Sequence, residues 1–240
     1  MKFIYKVDID EIAKFIDRPN RFIANLQLKS GEIVSAHVHD SGRIKELLFS
    51  GNSVLLRKAK NTENRKTLWD VIAAYANDGE EILINSSIHR YITDNYFKNF
   101  DISCFGSYDF IKPEVKYGHS RLDYLIEKNG ENIYIETKGV SLSIDGIATF
   151  PDAPSIRATK HLKELIEIKK SGNRAAVILI ILKDSQFFTP NYDTDPIFYE
   201  TFYEALKSGV EIYPLQFYFC NGEIFFKDKK IEILPSKLEF

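Results

Sequence analysis

Cysteine is scarce in this chain of 240 residues: Cys104 and Cys220 are the only two, they stand far apart, and neither has neighbours at metal-ligand spacing. A disulfide framework and a cysteine-based zinc site are thereby excluded, and reduced, non-functional thiols in a cytoplasmic protein are expected. Long hydrophobic runs are missing too. The longest, Ala175–Leu182, falls far short of the roughly 20 residues that a membrane-spanning helix needs. The first residues, Met-Lys-Phe-Ile-Tyr-Lys-Val-Asp, lack the apolar centre of a secretory leader, so no signal peptide is expected. There is no helical-repeat period and no low-complexity tract. Charge of one sign is almost absent from the total, which is −2. Such a balance does not announce a nucleic-acid binder.

What the chain does have is a globular composition, 44% hydrophobic and 28% charged, at a length that suits one large domain or two modest ones. The charge is also uneven. Residues 18–66 carry ten Lys/Arg against four acids, so the remainder carries about −8. A basic module joined to an acidic one fits this asymmetry, as does an ordinary solvated surface of mixed charge.

The most informative stretch is 121–140. Two β-rich runs, Leu122–Glu127 and Asn132–Thr137, flank Lys128-Asn129-Gly130-Glu131. Asn-Gly between such runs signals a type I′ hairpin, because that turn needs positive φ at both central residues. A two-residue loop pairs Lys128 with Glu131 and sets Asp123 opposite Glu136, with Lys138 on the same face. Opposed carboxylates repel, and a divalent cation between them removes the repulsion. Oxygen ligands with room for water suit Mg²⁺ or Mn²⁺. An ammonium beside that ion can orient a water or neutralise developing charge, as metal-assisted phosphodiester hydrolysis requires. A surface hairpin with incidental charges gives the same pattern. Here the apolar opposite face (Leu122, Tyr124, Ile126, Ile133, Ile135) and the Asn-Gly register favour the site.

Before that hairpin, Arg21–Leu28, Ile33–Val38 and Ser53–Lys58 read as strands separated by Gly turns, with the loop Asp40–Arg43 between the second and third. Leu68–Tyr75 and Glu81–Asn85 can complete a small barrel. An OB-like barrel over 1–85 is expected, gripping nucleic acid through Arg21, Phe22, Arg43, Arg57 and Lys58. His37 and His39 share a strand face, but only Asp40 stands nearby as a third metal ligand. Ordinary hydrogen-bonded histidines are the expectation.

The second domain is expected over 86–240. Ile88, Tyr91, Ile92, Tyr96 and Phe97 give a helical period across Ser86–Phe100. A strand at Glu114–Tyr117 precedes the acidic hairpin, and Gly139–Asp152 reads as a loop. Ser155 caps a helix running to about Lys170. Its apolar stripe is Ala158, Leu162, Leu165 and Ile166. Arg157, Lys160, His161 and Glu164 fall on another face, which can hold a phosphate or simply be solvated. Ala175–Leu182 is apolar on both faces and reads as a central parallel strand. Asp195-Pro196 opens a further helix with Gly209 just past its end. Val210–Phe219 returns as a strand, and Asn221-Gly222 turns it into Glu223–Lys227. The whole is an α/β domain with a mixed sheet that contains the acidic hairpin.

The order helix, acidic hairpin, Asp123…Glu136-Thr137-Lys138, helix, buried strand resembles the PD-(D/E)XK nuclease superfamily. That resemblance implies Asp123 and Glu136 as metal ligands, Lys138 as the catalytic lysine and Glu114 as an additional ligand. The whole chain is similar to the sugar fermentation stimulation protein A (SfsA) family. The carrying segments are Arg18-Pro19-Asn20-Arg21-Phe22-Ile23-Ala24, His37…Ser41-Gly42-Arg43, Glu114-Val115-Lys116-Tyr117-Gly118, Ser120-Arg121-Leu122-Asp123, Glu136-Thr137-Lys138-Gly139-Val140, Phe150-Pro151-Asp152-Ala153 and Arg157-Ala158-Thr159-Lys160-His161-Leu162. One segment departs: Val38-His39-Asp40-Ser41-Gly42 stands where the family usually reads like Cys-Pro-Asn-Thr-Gly. The resemblance implies an OB-like domain, a nuclease-like domain, binding of DNA without sequence preference, and a regulatory role in sugar (maltose) metabolism. DNA phosphates are then expected at Arg21, Arg43, Arg57, Lys58, Arg121, Arg157, Lys160 and His161. A non-catalytic DNA-binding regulator is the alternative to a nuclease.

Overall fold

The computed structural model describes residues 1–40, 42–60, 65–118 and 120–238. Ser41, in the expected loop Asp40–Arg43, lies outside the described residues, as do the last two residues of the expected second domain. The chain divides into two compact units. The first holds Met1–Asn95 and Phe217–Lys227; the second holds Tyr96–Gln216 and the residues from Asp228 on.

The first unit contains β1 (Lys2–Lys6), β2 (Glu11–Asn20), β3 (Ile23–Gln27), β4 (Ile33–His37), β5 (Ser53–Lys58), β6 (Trp69–Tyr75) and β7 (Glu81–Leu83). A 3-10 turn, Ser86–Ile88, leads into α1 (His89–Phe97). β3 lies between β2 and β4, and β5 lies between β2 and β6. A short parallel pairing of β4 with β6, Ala36 to Trp69 and His37 to Asp70, closes the ring. This is the five-stranded OB barrel, and its interior is filled by small and branched side chains such as Ala24, Leu26, Ala36, Val54 and Leu56, all fully buried. The expected strands β3 to β7 are all present. β1 and β2 are additions. Two register shifts against β3, at Phe15/Asp17 and Asp17/Asn20, interrupt the alternation of β2 and hide it in the sequence. Tyr91, expected on the apolar stripe of α1, is half exposed instead, while Ile88, Ile92, Tyr96 and Phe97 are buried.

The second unit is α/β. Its strands are β8 (Phe110–Tyr117), β9 (Ser120–Lys128), β10 (Glu131–Val140), β11 (Ser143–Ile144), β12 (Ile147–Phe150), β13 (Arg174–Ile181), β14 (Phe187–Pro190), β15 (Glu211–Cys220) and, past the residues of the first unit, β17 (Glu232–Ile233). The end of β15, from Phe217, belongs to the first unit, where it turns through Asn221-Gly222 into β16 (Glu223–Lys227), and β16 pairs with β1. The main sheet runs β8-β9-β10-β13-β15; β8, β9 and β10 are antiparallel, and β10, β13 and β15 are parallel. The parallel register aligns Glu136 with Val177 and Lys138 with Leu179. α2 (Ile156–Lys170) and α3 (Pro196–Lys207) bury Leu162, Leu165, Ile166, Phe198 and Phe202 in one core with Val177, Leu179 and Ile181 of β13. The caps are those expected. The Ser155 hydroxyl accepts from the Ala158 N–H, and the Asp195 carboxylate accepts from the Phe198 N–H ahead of Pro196. Gly209 takes φ +84° just past the end of α3.

The stretch Gly139–Asp152 corrects an expectation. It reads as a loop, yet it holds β11 and β12, which join β14 and β17 in a small second sheet. Both strands are too short to show alternation, and β12 is a strand because it pairs in parallel with β14, some 40 residues on.

Across the β13–β15 pair, the Arg174 guanidinium donates to both Glu211 oxygens at 2.8 Å. These bonds hold the Glu211 carboxyl below the usual carboxylate range. The stability this adds is complete above the ordinary glutamate pKa and is lost as pH falls through the lower folded value. Acid unfolding curves of wild type and Glu211→Gln should therefore converge below pH ~4. Curves that stay parallel through that range would show that the pair contributes nothing.

Candidate functional site

The acidic hairpin forms in the expected register. β9 and β10 pair from Lys128·Glu131 to Tyr124·Ile135, around Asn129 at φ +52° and Gly130 at φ +79°. Asp123 and Glu136 follow directly on that ladder. Asp123 Oδ2 accepts two hydrogen bonds from Thr137, from its N–H and from its hydroxyl, both at 2.7 Å. Thr137 therefore fixes the carboxylate that the sequence singled out, although it drew no attention there. Its position between Glu136 and Lys138 was the available signal.

Glu136 is buried, at 3% exposure. Its Oε1 accepts from Lys138 Nζ on the same strand and from His161 Nδ1 on α2. Its Oε2 is buried without a hydrogen-bond partner among the described residues. Burial opposes the charge of Glu136, but the His161 hydrogen bond and the Lys138 ammonium outweigh it and hold the carboxyl below its usual range. Because the carboxylate is ionised, His161 Nδ1 must carry the proton and donate. Asp123 is driven the other way. Burial first, and the Glu136 charge second, push its carboxyl up despite the Thr137 bonds. So two adjacent carboxylates differ in environment. One is neutralised by two cationic or donor partners, while the other is left repelled.

His161 corrects the helix-face reading. It was expected beside Arg157 and Lys160 on an outward surface, but it is 5% exposed and turns inward to Glu136. The 100° step per residue carries it towards the face of Ala158, Leu162 and Leu165, and the buried carboxylate holds it there. Arg157 remains exposed, and Lys160 pairs loosely with Glu164 at 3.8 Å. Glu114 is exposed on β8 at φ +54°, with Arg121 at 3.4 Å. Among the described residues no group of three or more His, Cys, Asp or Glu is gathered as a metal cage.

A two-carboxylate set still fits a divalent ion. Mg²⁺ and similar ions are held by one or two carboxylates, with water and phosphate oxygens completing the shell. The unpartnered Oε2 of Glu136 and the repelled Asp123 are the donors such an ion would satisfy. Cys104 is a free thiol whose pKa burial pushes up to about 12, which keeps it from acting as a thiolate ligand.

In the barrel, Arg18 is spent on backbone. Its guanidinium donates to the carbonyls of Arg21 (2.6 Å), Asp40 (2.7 Å), Gly42 (2.8 Å) and Arg43 (3.0 Å). It thereby ties the β2–β3 turn to the following loop and presents Arg21 and Arg43, both exposed, with Arg21 above the Phe22 ring. Phe22 lies parallel to His37 at 6.2 Å, and Lys58 sits over Trp69. Arg57 is bound at 3.4 Å to Asp70, a buried acid that sequence reasoning missed. Asp70 also takes Arg65 at 2.5 Å and His39 at 3.1 Å. Burial works against its charge, yet the His39 and Arg65 hydrogen bonds hold its carboxyl far below the usual range. Its only signal was a single acid in the otherwise apolar strand β6. His39 is thus hydrogen-bonded to Asp70, and His37 packs its ring against Phe22 and against His39, the two imidazole centroids 4.3 Å apart. Burial, then His39 and Arg65, lower the pKa of His37.

Two family models match this chain one after the other: the SfsA N-terminal OB domain over residues 16–84, and the sugar fermentation stimulation protein RE domain over residues 83–223. The chain belongs to the sugar fermentation stimulation protein (SfsA) family. A relative from Methanococcoides burtonii, described as a sugar fermentation stimulation protein homolog, is 42% identical over 93% of this chain and 92% of its own length. A second, from Thermosipho melanesiensis and described in the same words, is 41% identical over 98% and 99%. The solved structure of Pyrococcus furiosus SfsA in complex with Ca²⁺ superposes with a TM-score of 0.89 at 27% identity, covering 98% of this chain and all of that one. No helix among the described residues of this SfsA-family chain is long and apolar enough to cross a membrane.

Proposed function

We propose that this protein binds DNA without sequence preference and hydrolyses its phosphodiester bonds with a divalent metal ion. The observation that carries the reading is the pair Asp123 and Glu136, with Glu136 Oε2 unpartnered and Lys138 on the same carboxylate. Asp123 and Glu136 would hold Mg²⁺ or Mn²⁺, as the Ca²⁺ complex of the Pyrococcus relative suggests for a divalent ion in this family. Such an ion supplies charge neutralisation at the phosphate and acidifies a bound water. Thr137 keeps Asp123 oriented, and His161 keeps Glu136 ionised and fixed. Lys138 would orient the attacking water and stabilise charge on the phosphate. Arg121, Arg157 and Lys160 are the exposed cations of this unit for the scissile strand. Arg21, Arg43 and Lys58 of the barrel, with Arg57 behind them, would grip backbone phosphates. Glu114 serves as an additional ligand only if substrate draws it from Arg121.

A second reading is a non-catalytic DNA-binding regulator of sugar (maltose) metabolism. Its support is that only two carboxylates meet here and that Lys138 is already bonded to one of them. Labelled single- and double-stranded DNA incubated with Mg²⁺ or Mn²⁺ separates the two. The nuclease predicts metal-dependent cutting that EDTA stops. Tight binding whose affinity falls steeply with salt, without any cutting, would leave the regulator.

A further inference from the structure

A pocket in the first unit shares only Arg57 with the residues assigned above. It is lined by Tyr5 of β1, Arg57 of β5, Lys60, and Ser87, Ile88 and Tyr91 at the start of α1, and its cavity volume is about 170 Å³. That is below the roughly 300–1,000 Å³ of sites that enclose a whole small molecule, so a ligand here would seat one end in the pocket and lie along its open mouth. Tyr5 and Tyr91 stack at 5.1 Å with their planes 12° apart, and Tyr91 is half exposed. Ile88, 1% exposed, makes the floor. The lining brings two cations and no acid. Arg57 holds Asp70 through one terminal nitrogen, while its buried Nε has no partner among the described residues. Lys60 is 74% exposed, with Asp8 at 3.8 Å. Ser87 is exposed at the mouth.

We infer that this pocket binds a nucleotide through its phosphate and its base. Arg57 and Lys60 form the anion-binding end, while the Ser87 hydroxyl is already donated to Asn85 Oδ1, and the tyrosine pair offers a flat aromatic face for the base. An inorganic anion would leave the ring face unused; an uncharged aromatic would leave the buried Arg57 Nε without an acceptor. The shared chemistry is a phosphate on a nucleoside, and it occurs both as a free mononucleotide and as the phosphorylated end of a strand.

The test is titration of the full chain, with EDTA present, by AMP, adenosine, inorganic phosphate, and a short oligonucleotide with or without a 5′-phosphate. EDTA removes any metal-mediated contact at Asp123 and Glu136, so the outcome is independent of the nuclease reading. AMP is expected to bind at least about tenfold more tightly than adenosine or phosphate alone. Tyr91→Ala and Lys60→Glu are each expected to weaken AMP about tenfold or more, with the thermal midpoint unchanged in Lys60→Glu, which alters a 74% exposed side chain. If the phosphorylated oligonucleotide outcompetes AMP and its unphosphorylated twin, the natural ligand is a strand end; if AMP wins, it is a free nucleotide. Absence of AMP and oligonucleotide binding at millimolar concentration, or binding that neither substitution weakens, overturns the inference.

Discussion

Asp123→Asn is expected to abolish metal-dependent DNA cleavage and, in the absence of metal, to make the protein more stable. Asn keeps a side-chain oxygen that can accept both Thr137 bonds, so the local geometry survives. What disappears is a half-buried negative charge held next to Glu136, and desolvation and that neighbour are the causes that push the Asp123 carboxyl up. Removing that repulsion should raise stability by about 1 kcal/mol, a gain of roughly 2–4 °C in thermal midpoint for a chain of this size. The same substitution removes a metal ligand. Mn²⁺ at 100 times its dissociation constant should add about 2.7 kcal/mol to the wild type and almost nothing to Asp123→Asn. Cleavage should fall by about 10²–10³-fold, the scale of losing one preorganised charge-stabilising group. Lys138→Ala should lose cleavage comparably yet keep the metal-induced rise in midpoint, because Lys138 is no ligand. Cutting that persists in both variants would place the chemistry elsewhere. An apo midpoint that falls in Asp123→Asn would mean that the carboxylate repulsion is not the dominant local energy.

Asp70→Ala carries the largest expected loss of stability. Asp70 is 3% exposed, and Arg65, His39 and Arg57 converge on it across β4, β5 and β6 where the barrel closes. Truncation leaves two guanidinium groups facing one another with their shared acceptor gone. Removing one partner of a buried ion cluster costs about 3–5 kcal/mol. These cations keep some solvent contact, so the low end of that range is expected. Asp70→Asn, retaining an acceptor, should cost about half as much. The measurement is direct, because Trp69 is the only tryptophan and adjoins the cluster. Urea unfolding followed by its fluorescence should show the shift. A midpoint for Asp70→Ala within ~0.5 kcal/mol of wild type, the ordinary range for surface changes, would mean that the cluster contributes no net stability.

Local chemistry made much of this protein legible. Asn129-Gly130 fixed the hairpin register, and with it the meeting of Asp123 and Glu136, because a type I′ turn leaves no freedom in pairing. Ser155, Asp195-Pro196 and Gly209 marked helix ends through backbone groups that must be capped. The unbroken apolar run of β13 announced a strand covered on both faces. The segments that carry the SfsA likeness span nearly the whole chain, so the OB barrel and the α/β unit were both expected.

Contacts distant in sequence decided the rest. β12 is a strand only because β14 pairs with it, and β2 was hidden by its own register shifts. His161 sits one helical step from a solvated row, and only the buried Glu136 carboxylate turns it inward. Asp70 is a lone acid in an apolar strand until barrel closure brings Arg57, Arg65 and His39 to it. Arg18 looks like one more basic residue until the fold spends it on four carbonyls. Sequence determined elements whose ends and faces follow from neighbouring residues. Tertiary structure decided which polar side chains became partners, because a buried charge takes its state from whatever the fold places within hydrogen-bond reach.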